Sequence, residues 1–530
     1  MSEDSYDALV IGGGHSGLVN AAYLAKGGLR TLVLEQRSFV GGAAITEELH
    51  PGFSFTTFSY GLSLLRNEVI HELELVKHGF RPLYMPTTFV PMENGDYLYM
   101  TADHELNLKE IERHSVRDAD AYERYSYDFS RVQQFMKPIF DRRPPNFWSG
   151  KAEDKDEIAW LLGHLGSAPK KVIHDAVRLI TGSAADFLDD YFETDVLKGW
   201  LAGSGIIGTK VGPMSQGSGL VMLYMGMGEH DGEMGSWSFH KGGNGGLTQV
   251  MARAAESFGA EIRYGSVVDH VLTEDGAVRG VVLADGTELR AGTVVSSLDP
   301  RHTFLDLVDP RELPTDLVES VERYRFQGTA SKVNFALDGV PRYPGLGDRT
   351  DMFHGFVSVG PSIEYLERAF DAAKYGWYSE RPYLDACFQS FIDPDMAPPG
   401  KHVLSCFTMY TPYELRGSTW DAERENLGDT VQRRLEEVFP GFSELVLHRE
   451  VVTPLDIERT TGLSEGNIYA GEFLLPQMWA FRPAPGYSDY RTPIHGYYQC
   501  GSGTHPGGCV IGSQARFSSQ AVLADRAAVG

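Results

Sequence analysis

The sequence has few cysteines and too few basic residues to balance its acidic ones. Its 530 residues include 4 cysteines, which are too sparse for a disulfide framework and lack the spacing of a metal site. The 47 lysine and arginine residues stand against 72 aspartate and glutamate residues, for a formal net charge of −25. This balance argues against nucleic acid as a partner and against recruitment to anionic membranes. No metal is expected.

Long hydrophobic runs are also missing. The uncharged stretch that comes nearest to a membrane span, residues 211–228, is interrupted by Pro213 and by repeated Gly, Ser and Gln, so it does not predict a transmembrane helix. Residues 1–9 are polar and acidic, which argues against a signal peptide. We therefore expect a cytoplasmic protein. Peripheral contact with a membrane stays open because a linear sequence does not reveal surface patches, and the oligomeric state is equally open.

The N-terminal region reads YDALVIGGGHSGLVNAAYLAKGGLRTLVLEQRSFVGGAAI and predicts a strand, a helix and a second strand. Residues 6–11 form a short apolar run that is typical of a buried parallel strand. Residues 16–26 place their apolar side chains at helical spacing. Residues 30–34 predict a second strand, which ends at Glu35. This order predicts a βαβ unit in an α/β fold.

Glycines join the first predicted strand to the helix. Gly12, Gly14 and Gly17 fit the pattern G-x-G-x-x-G. In that pattern the first glycine permits a tight turn, the second lets a pyrophosphate approach the backbone, and the third lets the helix pack on the strand. The phosphates lie at the helix N-terminus, where free N–H groups favour negative charge. Glu35 follows about 20 residues later, where an acid binds the ribose hydroxyls, so the region predicts a dinucleotide site.

Residues 203–208 fit the same glycine pattern but lack its context. No strand is predicted before them, and Pro213 follows where the helix should run. A second dinucleotide site is therefore not expected, and NAD(P)H is not supported as a reductant.

The rest of the chain predicts a discontinuous organisation. Residues 105–240 are largely helical in pattern, and residues 266–300 alternate short β-branched runs with D-G turns, which indicates an antiparallel meander. The closing residues again combine a strand, a glycine loop and a helix. We predict an α/β fold in which a mixed α/β substrate domain with a helical part is inserted into a Rossmann-like domain. The Rossmann-like domain is predicted to comprise residues 1–65, 242–303 and 455–530, and the substrate domain residues 66–241 and 304–454.

Two blocks of the sequence carry a family resemblance. Glu35 begins the segment EQRSFVGGAA, and the C-terminal region contains TPLDIERTTGLSEGNIYAGEFLLPQ and RPAPGYSDYRTPIHGYYQCGSGTHPGGCVIGS. These blocks resemble the phytoene desaturase and retinol saturase superfamily of FAD oxidoreductases, and within it the pyridine nucleotide-disulphide oxidoreductase domain-containing protein 2 group. The resemblance spans nearly the whole chain. It implies non-covalent FAD in a Rossmann-like domain of the glutathione-reductase or amine-oxidase type.

The resemblance also implies which residues bind FAD. Glu35 would hold the adenosine ribose and Arg37 would flank the adenine, whose edge would meet the backbone of Val268. A second glycine pair would approach the pyrophosphate, and the N-terminus of the last helix would face the flavin N1/O2 edge. The full set of predicted cofactor-binding residues is Gly12, Gly14, His15, Ser16, Gly17, Glu35, Gln36, Arg37, Gly41, Gly42, Ala43, Thr57, Val268, Gly501, Gly503, Gly512 and Ser513.

Cys509 stands where the family usually has a small residue. A cysteine beside flavin suggests covalent attachment. Free cysteine more often packs as a small apolar residue, and we prefer that interpretation.

Lys332, His505 and Tyr60 are the predicted catalytic residues. The segment GTASKVNFAL, which contains Lys332, resembles the strand of flavin amine oxidases that places a lysine, through water, at flavin N5. Burial would lower the pKa of this lysine; the alternative is a strand edge with the amine in solvent. His505 either donates to flavin or substrate or only fixes its loop, and Tyr60 either faces the flavin or packs in the core. Glu472 is either a site carboxylate or a capping residue.

Three functions remain open on the sequence alone. The first is FAD-dependent dehydrogenation or desaturation of a small lipophilic substrate of isoprenoid type, for which the aromatic residues of 53–60 and 477–490 would suit an apolar tunnel. The second is amine-oxidase-like oxidation of a C–N bond with O2 as acceptor, which Lys332 favours. The third is a flavin-binding interaction factor with little turnover.

Overall fold

The computed structural model describes residues 5–230 and 232–529. The strands of this part of the chain are β1 (Ala8–Ile11), β2 (Thr31–Leu34), β3 (Thr46–His50), β4 (Phe53–Thr56), β5 (Pro82–Tyr84), β6 (Thr88–Pro91), β7 (Tyr97–Met100), β8 (Glu229–His230), β9 (Glu233–Met234), β10 (Ser238–His240), β11 (Glu261–Arg263), β12 (Val268–Glu274), β13 (Ala277–Leu283), β14 (Glu288–Arg290), β15 (Val294–Ser296), β16 (Ala330–Leu337), β17 (Phe356–Val359), β18 (Tyr383–Cys387), β19 (His402–Met409), β20 (Val446–Val452) and β21 (Tyr497–Gln499). The α-helices are α1 (His15–Lys26), α2 (Asn67–Glu72), α3 (His104–Glu112), α4 (Val116–Phe140), α5 (Ala152–Ser167), α6 (Lys170–Thr181), α7 (Ala184–Asp189), α8 (Asp195–Gly203), α9 (Ser218–Met225), α10 (Gly243–Ser257), α11 (Thr315–Glu322), α12 (Ile363–Lys374), α13 (Gln389–Ile392), α14 (Trp420–Val438), α15 (Phe442–Leu445), α16 (Pro454–Thr461) and α17 (Ser513–Val529).

Five parallel strands from three distant parts of the chain form one sheet, in the order β11–β2–β1–β15–β21. Alternate residues of β1 enter two different cores. Ala8 and Val10 pack with the helices α1, α10 and α17, whereas Leu9 and Ile11 pack toward the meander of β12, β13 and β14. Because both faces of the sheet are covered by other elements, its central strand β1 is apolar at every position and does not alternate between apolar and polar residues.

A seven-stranded sheet has the order β20–β16–β19–β18–β17–β6–β7. Its neighbours are antiparallel except β17 and β6, which are parallel. Val333 and Phe335 of β16 face a core that includes α14, while Ala330 and Ala336 face a second core built with the helices α4 to α9. Because side chains alternate along a strand, the even-numbered residues of β16 point toward those helices.

The sequence predicts much of this architecture correctly. The α/β fold class is confirmed, and β1, α1 and β2 lie within about two residues of their predicted bounds. The predicted meander is the antiparallel sheet β12–β13–β14, and the predicted helical region contains α3 to α9. Residues 203–208 form the end of α8 and a series of turns. The domain boundaries stay a prediction, and residues 1–4 of the first segment lie outside the described residues.

Two features are absent from the residues that the structure describes. Within 5–230 and 232–529, no helix is both long and apolar enough to cross a membrane. In the same residues, no group of three or more His, Cys, Asp or Glu side chains is placed to hold a metal ion.

A fully buried arginine ties together the C-terminal segments. Arg482 donates from Nε and Nη2 to the carbonyl oxygen of Ser502, at 3.1 Å and 2.9 Å. Its Nη2 also donates to the carbonyl oxygen of Tyr469 at 2.7 Å, and its Nη1 to that of Gln477 at 3.1 Å. Weaker bonds reach the carbonyl oxygens of Gly471 and Glu472, so one side chain donates to five backbone carbonyl groups.

We expect Arg482→Met to lower the free energy of unfolding by about 3 kcal/mol or more, because it leaves several buried carbonyl groups without a donor. Chemical denaturation followed by circular dichroism measures this loss. Arg311→Met is the control, since the Arg311 side chain is 90% exposed and only pairs with Asp309 on the surface; it should change stability little. Equal losses in the two variants would contradict the role of Arg482.

Candidate active site

Glycine is required where β1 meets α1. Gly12 has a φ of +93°, a backbone conformation that residues with a side chain rarely adopt. A Cβ added to Gly17 would collide with the carbonyl oxygen of Gly12, so this glycine lets α1 pack on the end of β1. The N–H of Gly41 donates to the carbonyl oxygen of Gly13 at 2.8 Å. The two glycine loops are therefore in direct backbone contact.

The second glycine of the pattern faces an open gap between these loops. A Cβ added to Gly14 would meet Gly42 Cα as its nearest atom, at 3.7 Å. The helix α1 begins directly after Gly14, with no side-chain cap and no acidic residue in its first turn. The first N–H groups of a helix have no partner inside it, and the helix dipole favours an anion beside them. A phosphate group fits this gap.

Glu35 and Arg37 lie at the same end of the sheet. The buried Glu35 carboxylate accepts hydrogen bonds from the backbone N–H groups of Gly13 and Arg37, each at 2.8 Å. Arg37 Nη2 donates to the carbonyl oxygen of Gly42 at 2.7 Å, while its Nη1 is buried without a partner in the described residues. A buried donor without an acceptor calls for a further oxygen ligand, which the phosphates and ribose of a dinucleotide supply.

Val268 and Gln36 flank this end of the sheet. Val268 is the first residue of β12, two residues after Ser266, whose N–H donates to the carbonyl oxygen of Glu35 at 2.8 Å. The structure therefore brings the start of the meander beside the acid, as the resemblance implies. The Gln36 side chain is exposed.

The predicted C-terminal cofactor residues form a tight loop that leads to α17. A Cβ added to Gly501 would meet the carbonyl oxygen of Leu298 at 2.7 Å, and one added to Gly503 would collide with a proline ring. Gly512 immediately precedes Ser513, the first residue of α17. Sequence reasoning missed the next residue, Gln514, whose Nε2 donates to Ser16 Oγ at 3.0 Å. This bond places the N-termini of α1 and α17 side by side.

A cavity of about 660 Å³ extends from the glycine loops to the seven-stranded sheet. His15, Ala43, Ser502 and Cys509 line the end near the loops. Aromatic, methionine and small polar side chains from α4, α8, α9 and neighbouring segments line the rest. Asp385 is the only Asp, Glu, Lys or Arg among the described lining residues.

The floor of the cavity is one face of the sheet, on which the strand register aligns a row of side chains. Lys332 of β16 pairs with Phe407 of β19, which pairs with Asp385 of β18, which pairs with Ser358 of β17. Directly paired residues share a face of the sheet. Phe407, Asp385 and Ser358 all line the cavity. Sequence reasoning missed Asp385; its signal was a single acid inside the apolar strand YLDAC.

Tyr60 covers the end of this row where Lys332 lies. The Lys332 amine lies 4.0 Å from the centre of the Tyr60 ring, a cation–π geometry. The Tyr60 hydroxyl donates to Asp385 Oδ2 at 2.8 Å. Burial raises the pKa of Asp385 to about 6, although the Tyr60 hydrogen bond and the Lys332 charge both oppose the rise. Tyr60 therefore lines the cavity, joins the acid to the lysine and separates the lysine from the cavity.

Lys332 is fully buried, and its Nζ has no hydrogen-bond partner among the described residues. The alternative of a strand edge with its amine in solvent is therefore wrong. Burial lowers the pKa of Lys332 to about 7. The lysine is not part of the cavity lining in this structure, so any contact with a ligand runs through Tyr60.

The structure does not bring His505 or Thr57 to the cavity. The His505 ring is fully buried, stacks on Phe140 and has its Nε2 2.9 Å from the Phe140 carbonyl oxygen. Burial lowers the pKa of His505 to about 4, so the ring is neutral. The Thr57 hydroxyl donates to Glu47 at 2.7 Å. Both contacts hold loops rather than a ligand.

Glu472 and Cys509 differ in their access to the cavity. Glu472 is fully buried away from the lining and accepts hydrogen bonds from the backbone N–H of Lys210 and the amide of Asn467. Burial raises the pKa of Glu472 to about 8. Its hydrogen bonds go to loop residues rather than into the cavity, which fits the capping interpretation. Cys509 lines the cavity and has a φ of +73°. Burial raises the pKa of its thiol to about 12, which keeps the sulfur protonated.

Residues 15–515 match the family of flavin containing amine oxidoreductases. The chain belongs to that family. It is an FAD-dependent oxidoreductase, and the gap at Gly14, the unpartnered Arg37 donor and the adjoining cavity fit the cofactor. The resemblance described from the sequence is confirmed.

Relatives and solved structures add detail to the family assignment. The pyridine nucleotide-disulfide oxidoreductase domain-containing protein 2 of Rattus norvegicus is 38% identical over 544 residues, which cover 98% of this chain and 94% of the relative. A component of the limonene dehydrogenase of Castellaniella defragrans is 26% identical, over 95% of this chain and 92% of its own length. Cyclohexylamine oxidase from Brevibacterium oxydans IH-35A shares the fold, with a TM-score of 0.59, 16% identity, and coverage of 99% of this chain and 100% of that one.

We expect Gly14→Ala to fold normally but to weaken FAD binding by about tenfold or more, because the new methyl group occupies the gap and meets the protein only at van der Waals distance from Gly42. Gly14 has a φ of −72°, which alanine also adopts. The FAD dissociation constant is measured by fluorescence quenching, and thermal unfolding without FAD checks the fold. Gly163→Ala, in an exposed turn of α5 with no atom within 4 Å, is the control. An unchanged FAD affinity in Gly14→Ala would place the cofactor elsewhere.

We expect Lys332→Met to stabilise the FAD-free protein, and most strongly below about pH 7. An amine whose pKa is lowered on folding, here from 10.5 to about 7, binds more protons in the unfolded chain between those values. The buried amine therefore destabilises the fold at low pH, and this cost disappears as the pH rises toward 10.5. Chemical denaturation of wild type and variant at pH 6, 8 and 10 measures the difference between their free energies of unfolding. If this stability difference does not become smaller as the pH rises, the amine is not desolvated.

Proposed function

We propose that this FAD-dependent oxidoreductase dehydrogenates a small lipophilic substrate that binds in the cavity of about 660 Å³. The cavity is the observation that supports this proposal. It joins the glycine loops to a chamber lined largely by aromatic and aliphatic side chains, and Asp385 is the one ionised side chain in its described lining. Its volume lies within the usual range for small-molecule sites. An apolar lining favours substrates that leave water readily.

FAD and the side chains around the cavity have distinct chemical roles. FAD, when bound, supplies the hydride acceptor. Dehydrogenation also releases a proton, and Asp385 is placed to receive it because its Oδ1 has no partner in the described residues and its pKa is raised to about 6. Tyr60 holds Oδ2 by its hydroxyl, and Lys332 acts through Tyr60 as a positioning residue whose charge stabilises the carboxylate. The aromatic walls exclude water.

The relatives support dehydrogenation of lipophilic molecules as the first candidate. The limonene dehydrogenase component aligns over nearly all of the chain, and its name describes dehydrogenation of a hydrocarbon. Oxidation of an amine is the second candidate. It is favoured by the Asp385 carboxylate, which would attract an ammonium group, and by the fold shared with cyclohexylamine oxidase. A cytoplasmic location and peripheral contact with a membrane stay predictions.

Anaerobic titration of the FAD-loaded protein tests this proposal. We expect an isoprenoid alcohol to bleach the visible absorption of oxidised flavin, since it supplies a hydride. A terpene hydrocarbon is titrated beside it, and bleaching by the hydrocarbon would also support dehydrogenation of a lipophilic substrate. Cyclohexylamine and putrescine are titrated in parallel, and bleaching by these amines alone would replace the first candidate with the second. Bound FAD that only dithionite reduces would contradict both and favour a flavin-binding protein with little turnover.

A further inference from the structure

Asp385 is the single ionised group in a cavity that is otherwise uncharged over the described residues. The other titratable groups of the lining are His15, Cys509 and tyrosines. Burial lowers the pKa of His15 to about 4 and raises those of Cys509 and Tyr60. None of these groups carries charge near neutral pH, so Asp385 is the one charged partner that the described lining offers to a ligand.

The protein holds this carboxylate rigidly but does not neutralise it. Asp385 lies in the middle of β18, hydrogen-bonded between β17 and β19. Its Oδ2 has the Tyr60 hydroxyl at 2.8 Å, and among the described residues no lysine or arginine forms an ion pair with it. A carboxylate in apolar surroundings without full pairing is destabilised relative to one in water. A donor from a ligand would recover part of that cost.

The neighbours of Asp385 define the shape of this end of the cavity. Phe356 of β17 and Phe407 of β19 line the same face on the two strands that flank β18. Tyr383 lies two residues before Asp385 on β18 itself. The Tyr383 hydroxyl is within 3.1 Å of Ser358 Oγ, so these two polar groups can satisfy each other. The free oxygen of Asp385 is left as the acceptor among aromatic rings.

We propose that Asp385 binds the one hydrogen-bond-donating head group, a hydroxyl or an ammonium, of an otherwise apolar substrate. This inference rests on the proposed function and deepens it by naming the polar part of the substrate. It also excludes lipophilic carboxylates, because two carboxylates in one apolar site repel each other. The apolar part of the substrate lies along the aromatic and methionine-lined walls toward the glycine loops.

Matched eight-carbon probes test this assignment by binding alone. We would measure the dissociation constants of octan-1-amine, octan-1-ol, heptyl methyl ether and octanoate for the FAD-loaded protein by calorimetry. The ether has the shape of the alcohol without its donor. We expect octan-1-amine or octan-1-ol to bind about tenfold more tightly than the ether, the gain of one hydrogen bond to a charged group, and octanoate to bind worst. A larger gain for the amine indicates an amine substrate, and a larger gain for the alcohol indicates an alcohol.

Variants then assign the preference to one residue. In Asp385→Asn the affinity for the preferred probe should fall to within about twofold of the affinity for the ether. Asp385→Glu should keep the preference because it keeps the carboxylate. Asp371→Asn, which removes an exposed carboxylate on α12, is the control and should match wild type. FAD content and thermal unfolding check that each variant folds.

Two results would overturn the assignment. One is equal binding of the alcohol, the amine and the ether to the wild-type protein, a comparison that needs no variant. The other is a folded Asp385→Asn protein that keeps the wild-type preference. Neither result depends on turnover, so the head-group assignment can fail while the flavin is still reduced by lipophilic substrates, and it can hold even if none of the tested compounds reduces the flavin.

Discussion

Direct backbone contact between two glycine loops is the constraint on which the rest of the structure depends. The loop after β1 and the loop around Gly41 meet through the hydrogen bond from Gly41 N–H to Gly13, and a Cβ added to Gly42 would crowd Gly14 Cα at 3.2 Å. That contact fixes the N-terminus of α1, brings α17 beside it through Gln514, and leaves the gap at Gly14. The same loops form one end of the cavity, so the cofactor site and the substrate chamber are built from one set of backbone positions.

The seven-stranded sheet forms the opposite end of the cavity. Two ionisable side chains are desolvated there, which lowers the stability of the fold. Lys332 is buried without a hydrogen-bond partner among the described residues, and Asp385 is surrounded by aromatic rings. Neither group stabilises the fold, because taking a charge out of water costs more than the cation–π contact of Lys332 or the single side-chain hydrogen bond of Asp385 returns. Tyr60 couples the two through its ring and its hydroxyl. Costly buried charges that are coupled in this way concentrate at functional sites.

The sequence predicts the parts of the site that are local in the chain. Strand, glycine turn, helix and acid follow one another within residues 6–35, so spacing alone indicates the dinucleotide site. The floor of the cavity depends instead on the register of β16, β19 and β18, which tertiary pairing sets. Lys332 could therefore be singled out, but its separation from the cavity by Tyr60 could not. His505 shows the same limit, because its place in a glycine loop does not reveal that its ring turns toward Phe140.

FAD is expected to span the contact between the glycine loops and to present its flavin to the cavity, and the proposed dehydrogenation depends on that placement. A crystal structure of the FAD-loaded protein tests it most directly. We predict the pyrophosphate in the gap between Gly14 and Gly42, and the flavin ring at the end of the cavity lined by His15, Ala43 and Cys509. A pyrophosphate outside that gap, or a flavin ring that does not border the cavity above Tyr60 and Asp385, would contradict it.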